Sequence, residues 1–237
     1  MPNVFPEGLM AEVESLLSQH HNWPDGQDSY SQLFDSQLFF PLQRRRELEA
    51  MMRRCRQVNP STVAVIGSDK GSDLFHFVKC LPTVRRAIAC EIRGTPYAAA
   101  FQKYFPEVSF LFLPTGSRDP GALSKTRRFL AGHKIDVLFI DGDKCTFKED
   151  FAAYRPLMAS GGLALMHDIC CPPDTASCFD AFTEAAKTHL TEKIVDMTEY
   201  DEDREAVKRG EPVRNSYGHW VRYWSNYPTC GVGVIGI

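Results

Sequence analysis

No apolar run in this 237-residue chain approaches the ~20 residues that a membrane-spanning helix needs. Met1 to Glu12 also lack the basic and apolar regions of a signal peptide, so a cytoplasmic protein is expected. Charge of one sign is scarce: 27 Lys and Arg against 30 Asp and Glu leave a net charge of −3. Nothing global therefore favours nucleic acid or an anionic membrane as partner. The basic cluster Arg44-Arg45-Arg46 with Arg53, Arg54 and Arg56 is interrupted by Glu47 and Glu49. It reads as a solvated helix face, with a phosphate-contacting patch as the alternative. No two of the eight cysteines form a C-x-x-C pair, which leaves them as free thiols serving as small hydrophobes. His167, Cys170, Cys171 and Cys178 match no common structural zinc spacing. Internal repeats and low-complexity tracts are absent.

What the chain does hold is 43% hydrophobic residues, enough for one large domain with a substantial core. Residues 1–38 read as an N-terminal appendage or lid, with a short amphipathic helix from Leu9 to Leu17, and residues 39–237 as the main domain. A helix is expected from Pro41 through Arg56, with Leu42, Leu48, Met51, Met52 and Cys55 as its apolar stripe. Strands then alternate with helices. The expected strands are 62–66, 86–92, 107–113, 135–140 and 162–166, followed by helices 72–80, 95–104, 119–131, 146–157 and 175–189. A strand at 193–197 and the run Cys230 to Ile237 end the chain. Five β-then-α units predict a Rossmann-like, doubly wound, mostly parallel sheet of seven strands with helices on both faces. The last strand is a candidate for antiparallel pairing. Residues 198–229 carry Tyr217, Trp220, Tyr223 and Trp224. They read as a lid over a pocket, a dimer contact or ordinary core, and a homo-oligomer is compatible with them.

The most informative stretch is Asp136-Val137-Leu138-Phe139-Ile140-Asp141-Gly142-Asp143-Lys144. Its unbroken apolar run reads as a strand buried on both faces, ending in two carboxylates where open α/β sheets bind ligands. The next strand ends in His167-Asp168. Two carboxylates and an imidazole at adjacent strand ends make Asp141, His167 and Asp168 candidate ligands for Mg²⁺ or Mn²⁺. Read locally, Asp143 caps the following helix, Asp168 caps a turn and His167 hydrogen-bonds in the core. Gly67-Ser68-Asp69-Lys70-Gly71 after the first strand lets backbone approach a ligand at a helix N-terminus. It matches neither the dinucleotide G-x-G-x-x-G nor a P-loop. Glu91 ends the second strand, where a carboxylate can accept both hydroxyls of a ribose. After the third strand, Ser117 or Asp119 before Pro120 reads as a helix cap, with Ser117 also within reach of a ligand.

Taken together, Gly67-x-x-x-Gly71, Glu91, Gly116-Ser117-Arg118-Asp119-Pro120, Asp136 to Lys144, Tyr154-Arg155-Pro156-Leu157 with Gly161-Gly162-Leu163, and His167-Asp168 resemble class I S-adenosylmethionine-dependent methyltransferases. The likeness is closest to a metal-assisted O-methyltransferase-like branch related to cephalosporin hydroxylase and rhamnosyl O-methyltransferases, and it covers about residues 40–170. It implies S-adenosylmethionine as cofactor, with Gly67, Ser68, Gly71, Glu91, Ser117 and Asp141 around it. It further implies O-methylation of a small-molecule hydroxyl with a divalent metal at Asp141, His167 and Asp168. Two positions depart from the pattern. Val65 stands where the family carries an acid, and the family's D-G-D-H is Asp141-Gly142-Asp143-Lys144. Lys144 nevertheless falls three residues after Asp141, the spacing at which catechol-type O-methyltransferases place a base, so Lys144 and Asp141 are the candidate catalytic pair. Close to a divalent ion and a sulfonium, the Lys144 pKa is expected to fall. A different metal-dependent activity on the same scaffold and a non-catalytic interaction protein are the rival readings.

Overall fold

The computed structural model of the chain describes residues 45–69, 71–95, 98–170, 176–195 and 231–237, together with Glu205 and Arg209. The expected helix at 9–17, the appendage 1–38, Leu42, and the aromatic segment 198–229 apart from those two residues lie outside them.

Helix α1 (Arg45–Arg56) opens the described chain. It is followed by β1 (Thr62–Ile66), α2 (Ser72–Cys80), β2 (Arg86–Cys90) and α3 (Ala98–Tyr104). Next come β3 (Ser109–Leu113), α4 (Pro120–Leu130), β4 (Ile135–Ile140) and α5 (Phe147–Tyr154). The chain continues through β5 (Met158–His167), α6 (Ala176–Ala186), β6 (Thr191–Ile194) and β7 (Val232–Gly236). The seven strands form one sheet in the order β3-β2-β1-β4-β5-β7-β6. β1 to β5 pair in parallel, whereas β7 runs antiparallel to both β5 and β6. The sheet is therefore mixed, with its reversed strand next to one edge.

Alternation of side chains along the strands sorts the core into two layers. Val63, Val65, Val137, Phe139 and Leu165 face α1, α2 and α3 through Met51, Phe77 and Phe101. Ala64, Ile66, Leu138, Ile140 and Met166 face α4, α5 and α6 through Leu130, Phe147 and Phe182. Leu48, Met51, Met52 and Cys55 of α1 are fully buried, as the apolar stripe requires. Among the described residues, no helix is long and apolar enough to cross a membrane.

Several boundaries differ from the sequence expectation for local reasons. β2 stops at Cys90 because Glu91 enters a turn in which Gly94 N–H donates to the Glu91 carbonyl. β3 starts at Ser109, because Val108 N–H is taken by the Phe105 carbonyl in the preceding turn. The segment 146–157 is not one helix: short 3₁₀ turns at Lys144–Thr146 and Arg155–Leu157 flank α5. Pro156 lacks the N–H that an α-helix would need there. β5 begins at Met158, not 162, because the chain pairs Ile135 with Met158 and then jumps register to pair Val137 with Leu163. The residues between bulge outward around Gly161, whose φ is +82°, a conformation that suits glycine.

Candidate functional site

The first four parallel strands end level with one another. Ile66 pairs with Cys90 and with Ile140, and Cys90 with Leu113. The ladder runs one residue beyond the strands: Gly67 N–H donates to Cys90 O at 2.9 Å, Asp141 N–H to Ile66 O at 2.8 Å and Glu91 N–H to Leu113 O at 3.0 Å. Gly67, Glu91 and Asp141 thus share one row, which His167 joins through the Ile140–Met166 pairing. A cavity of about 1040 Å³ opens above that row and is lined by Gly67, Glu91, Ser117, Asp141, Lys144, His167 and Asp168 among others. It lies over β1, where connections leave toward β2 on one side and the chain later returns as β4 on the other, the switch point at which open α/β sheets bind ligands.

The turn after β1 is held by packing. A Cβ on Gly67, at φ +78°, would lie 2.5 Å from the Asp141 carbonyl oxygen, so the turn presses against the end of β4. Gly71, at φ +98°, is hemmed in by Phe101 and Thr95 at 3.2 Å and does not line the cavity. Ser68 is fully buried, with its hydroxyl 3.4 Å from that of Thr95. Val65, in place of an acid, is 1% exposed in the core layer beneath α2.

Glu91 is 8% exposed and held from both sides. Its Oε2 accepts Asp69 N–H at 3.0 Å and its Oε1 accepts Arg93 N–H at 3.1 Å. Arg93 also reaches Asp69 Oδ1 at 2.8 Å on the rim. Oε1 also accepts Arg93 Nε at 3.5 Å, which leaves Oε2 the oxygen with a lone pair for a ligand. At the opposite wall, Asp119 caps α4 by accepting Ala122 N–H at 2.9 Å, so Asp119, not Ser117, is the cap. Ser117 instead donates its hydroxyl proton to Asp150 Oδ1 at 2.5 Å.

Asp141, Lys144, His167 and Asp168 form a cluster. His167 Nδ1 is 3.0 Å from Asp141 Oδ1 and 3.2 Å from Asp168 Oδ1. Asp168 comes back toward the imidazole because its backbone adopts a left-handed φ of +62°, which Asp tolerates better than most residues. The Lys144 ammonium bridges the two carboxylates, contacting Asp141 Oδ1 and lying 2.5 Å from Asp168 Oδ2. Asp143 takes no part: it caps the 3₁₀ turn by accepting Cys145 N–H at 3.0 Å.

Burial opposes charge on all four groups, yet their mutual attraction prevails. The His167 and Lys144 charges hold both carboxylates below the usual acid range, and the carboxylates raise Lys144 and hold His167 well above its ordinary value. The expected fall of the Lys144 pKa is therefore not a property of the protein by itself; in this state the shift runs upward.

The donors fit a divalent ion. One atom each from Asp141, His167 and Asp168 lie within 4.8 Å of one another, two hard oxygens and one imidazole nitrogen suit Mg²⁺ or Mn²⁺, and the place between the carboxylates already attracts a cation. Among the described residues, the buried His167 Nε2 has no hydrogen-bond partner. Sequence reading did not find Asp150, Thr146 and Arg93. Asp150 and Ser117 lie 33 residues apart, and no spacing rule joins a helix carboxylate to a loop hydroxyl over that distance.

The chain matches no protein-family model and no curated protein sequence. Solved structures do resemble it. The O-methyltransferase TomG from Streptomyces achromogenes, in complex with SAM, is 12% identical, aligns over 99% of each chain and has a TM-score of 0.53. A candidate caffeoyl-CoA O-methyltransferase from Staphylococcus aureus is 13% identical over 96% of this chain and 100% of its own, with a TM-score of 0.54. The fold is that of class I methyltransferases. At such identities the likeness reaches the methyltransferase architecture and stops there.

Proposed function

We propose that this chain is an S-adenosylmethionine-dependent methyltransferase acting on a hydroxyl of a small molecule, with Mg²⁺ or Mn²⁺ at Asp141, His167 and Asp168. The observation that carries the reading is the row of strand ends. Gly67, Glu91, Ser117 and Asp141 line one cavity at the switch point of a methyltransferase fold, and Lys144 stands at its inner wall. Glu91 takes the ribose hydroxyls with an orientation already set by Asp69 and Arg93. The Gly67 turn carries the chain past the methionine end, and the loop around Ser117 receives the base. Ser68 and Gly71 serve by shaping that turn.

Methyl transfer is an in-line displacement at the sulfonium carbon: the acceptor oxygen bonds to the methyl group while the carbon–sulfur bond breaks. It asks the protein for alignment, a proton acceptor and exclusion of water. A divalent ion bound at the cluster would polarise the acceptor hydroxyl and hold it in place. Lys144 is the group placed to take the hydroxyl proton. To do so it must leave Asp141 and Asp168 and lose its own proton first, a change favoured by positive charge at the carboxylates.

Calorimetry with S-adenosylmethionine and S-adenosylhomocysteine, with and without Mg²⁺, tests the reading. Glu91→Ala should weaken binding about ten- to a hundredfold, the effect of losing a hydrogen bond to a charged group. Nucleoside binding that ignores the metal would point away from a catechol-type mechanism. Binding of neither would favour an interaction protein.

A further inference from the structure

The two edges of the sheet are built differently. At the β6 edge, Gly236 N–H donates to Leu190 O at 2.8 Å. Glu192 therefore also turns its backbone polar groups toward β7, while Thr191 and Lys193 turn theirs outward. Two-fold pairing of β6 with itself, centred on either middle residue, would set Glu192 against Glu192 or Lys193 against Lys193. Like charges directly opposite one another destabilise a strand pair and so blunt an edge. β3 lacks that protection, because Ser109-Phe110-Leu111-Phe112-Leu113 carries no charge. Ser109 N–H donates to Arg85 O at 2.9 Å and Leu113 O accepts Glu91 N–H at 3.0 Å. Alternation then turns the backbone of Ser109, Leu111 and Leu113 toward β2 and that of Phe110 and Phe112 away from the sheet. Among the described residues, no hydrogen bond reaches the N–H or C=O of either phenylalanine. The three central side chains are half-buried. Phe110 and Phe112 stack at 5.6 Å and 11° and both meet Phe101 on one face of the sheet, while Leu111 packs on the other.

We propose that the β3 edge is a self-association surface whose partner is β3 of a second copy of this chain, paired antiparallel about a two-fold axis through Leu111. Phe110 of each copy then lies opposite Phe112 of the other, each pair exchanging both N–H···O bonds, and Leu111 meets Leu111 in the close pair without hydrogen bonds. This register uses every outward group of the strand. Its neighbours do not: centring on Phe110 would call on Val108 N–H, which already donates to Phe105 O, and centring on Phe112 would call on Pro114, which has no N–H. The contact is isologous, and aromatic meets aromatic across it, which extends the two-ring stack from each copy. Charge is complementary at both ends. The turn that carries the exposed Glu107 of one copy faces the loop that carries Arg118 of the other, whose side chain is 49% exposed. None of this depends on what the cavity binds.

The test is analytical ultracentrifugation of the full chain from about 1 to about 100 μM, the weaker part of the range that protein interfaces span, with amide hydrogen exchange measured at both ends of that range. The mass should rise from one copy to two. The peptide covering residues 108–114 should gain protection at high concentration, because the Phe110 and Phe112 amides become hydrogen-bonded. Leu111→Lys places two ammonium groups on the axis and should raise the dimer dissociation constant by about tenfold or more. Glu107→Arg, at an exposed position outside the strand, sets like charges against Arg118 and should raise it by about two- to fivefold, which keeps a variant available if Leu111→Lys does not fold. A mass of one copy throughout overturns the proposal. So does a dimer whose exchange at residues 108–114 is the same at both concentrations, since that dimer forms through another face. A dimer that a folded Leu111→Lys leaves as tight as wild type overturns it as well.

Discussion

Replacing Lys144 by methionine should make the site bind a divalent ion more tightly, while the protein without an ion becomes less stable. The Lys144 ammonium stands between Asp141 and Asp168, its side chain 27% exposed and theirs 13% and 14%. Two unit charges at ~4 Å interact by ~4 kcal/mol at an effective dielectric constant of ~20. A doubly charged ion among the same carboxylates would repel the ammonium by about twice that, so Lys144 has to swing out before the ion enters. Breaking its two ion pairs costs about 2 kcal/mol net, below the ~3–5 kcal/mol of a fully buried pair because water reaches the amine. Methionine removes that cost, and since 1.4 kcal/mol is tenfold, the Mn²⁺ dissociation constant should fall by about ten- to a hundredfold. Without an ion, Lys144→Met takes the ammonium away from both carboxylates and should lose ~2 kcal/mol of stability, which Mn²⁺ at ~100 times its dissociation constant would restore by ~2.7 kcal/mol. Titration calorimetry and urea melts with and without Mn²⁺ measure both effects. Weaker Mn²⁺ binding by Lys144→Met than by wild type would refute the competition argument, and so would an unchanged ion-free melt. If Lys144 is also the base, turnover should drop by a factor on the order of 10²–10⁴ with cofactor affinity nearly unchanged.

Two further outcomes follow from the framework of the site. Gly67→Ala, with φ at +78° and a Cβ 2.5 Å from the Asp141 carbonyl, should cost roughly 3–5 kcal/mol of stability by denaturant melts; a variant as stable as wild type would mean the turn yields easily. His76 on α2 is buried, and that burial lowers its pKa to about 4 despite the hydrogen bond to Ser72 O. The unfolded chain therefore takes up a proton near pH 6.5 that the folded chain refuses, and stability should fall with decreasing pH from about 6.5 to about 4, by at most ~1.4 kcal/mol per unit. His167 shifts the other way, so its contribution is full below pH 6.5 and is lost only as pH rises through its folded value, outside that window. Stability measured against pH for wild type and His76→Leu checks this. Equal slopes between pH 4 and 6.5 would rule His76 out as their source.

The parts of this molecule that could be read from its sequence are those whose signal is local. The run Val137 to Ile140 reads as a buried strand because four apolar residues in a row leave no solvent face, and each is fully buried. Asp141 and His167 could be placed at adjacent strand ends because parallel strands in an α/β sheet finish on the same side. Boundaries were less legible where a tight turn takes up a strand's first N–H, as at Val108, or where a register jump decides them, as between Ile135 and Val137. Ser68 and Gly71 illustrate a different limit. A glycine-bearing turn announces close approach, but the sequence does not say whether the thing approached is a ligand or, as for Gly67 against Asp141, the neighbouring strand.

The polarity of the cluster and of the loop around Ser117 belongs to neither class, because it depends on who donates to whom across elements. From sequence alone Lys144 is a lysine three residues after an acid. Its charge state follows only once Asp168, from the next strand, is seen to share it with Asp141. Ser117 alone is an ambivalent hydroxyl; a carboxylate from α5 turns it into an acceptor. In both cases an acid supplied by a second element removes an ambiguity that the first cannot resolve. A chemically committed site at a strand end therefore requires the second element as much as the first.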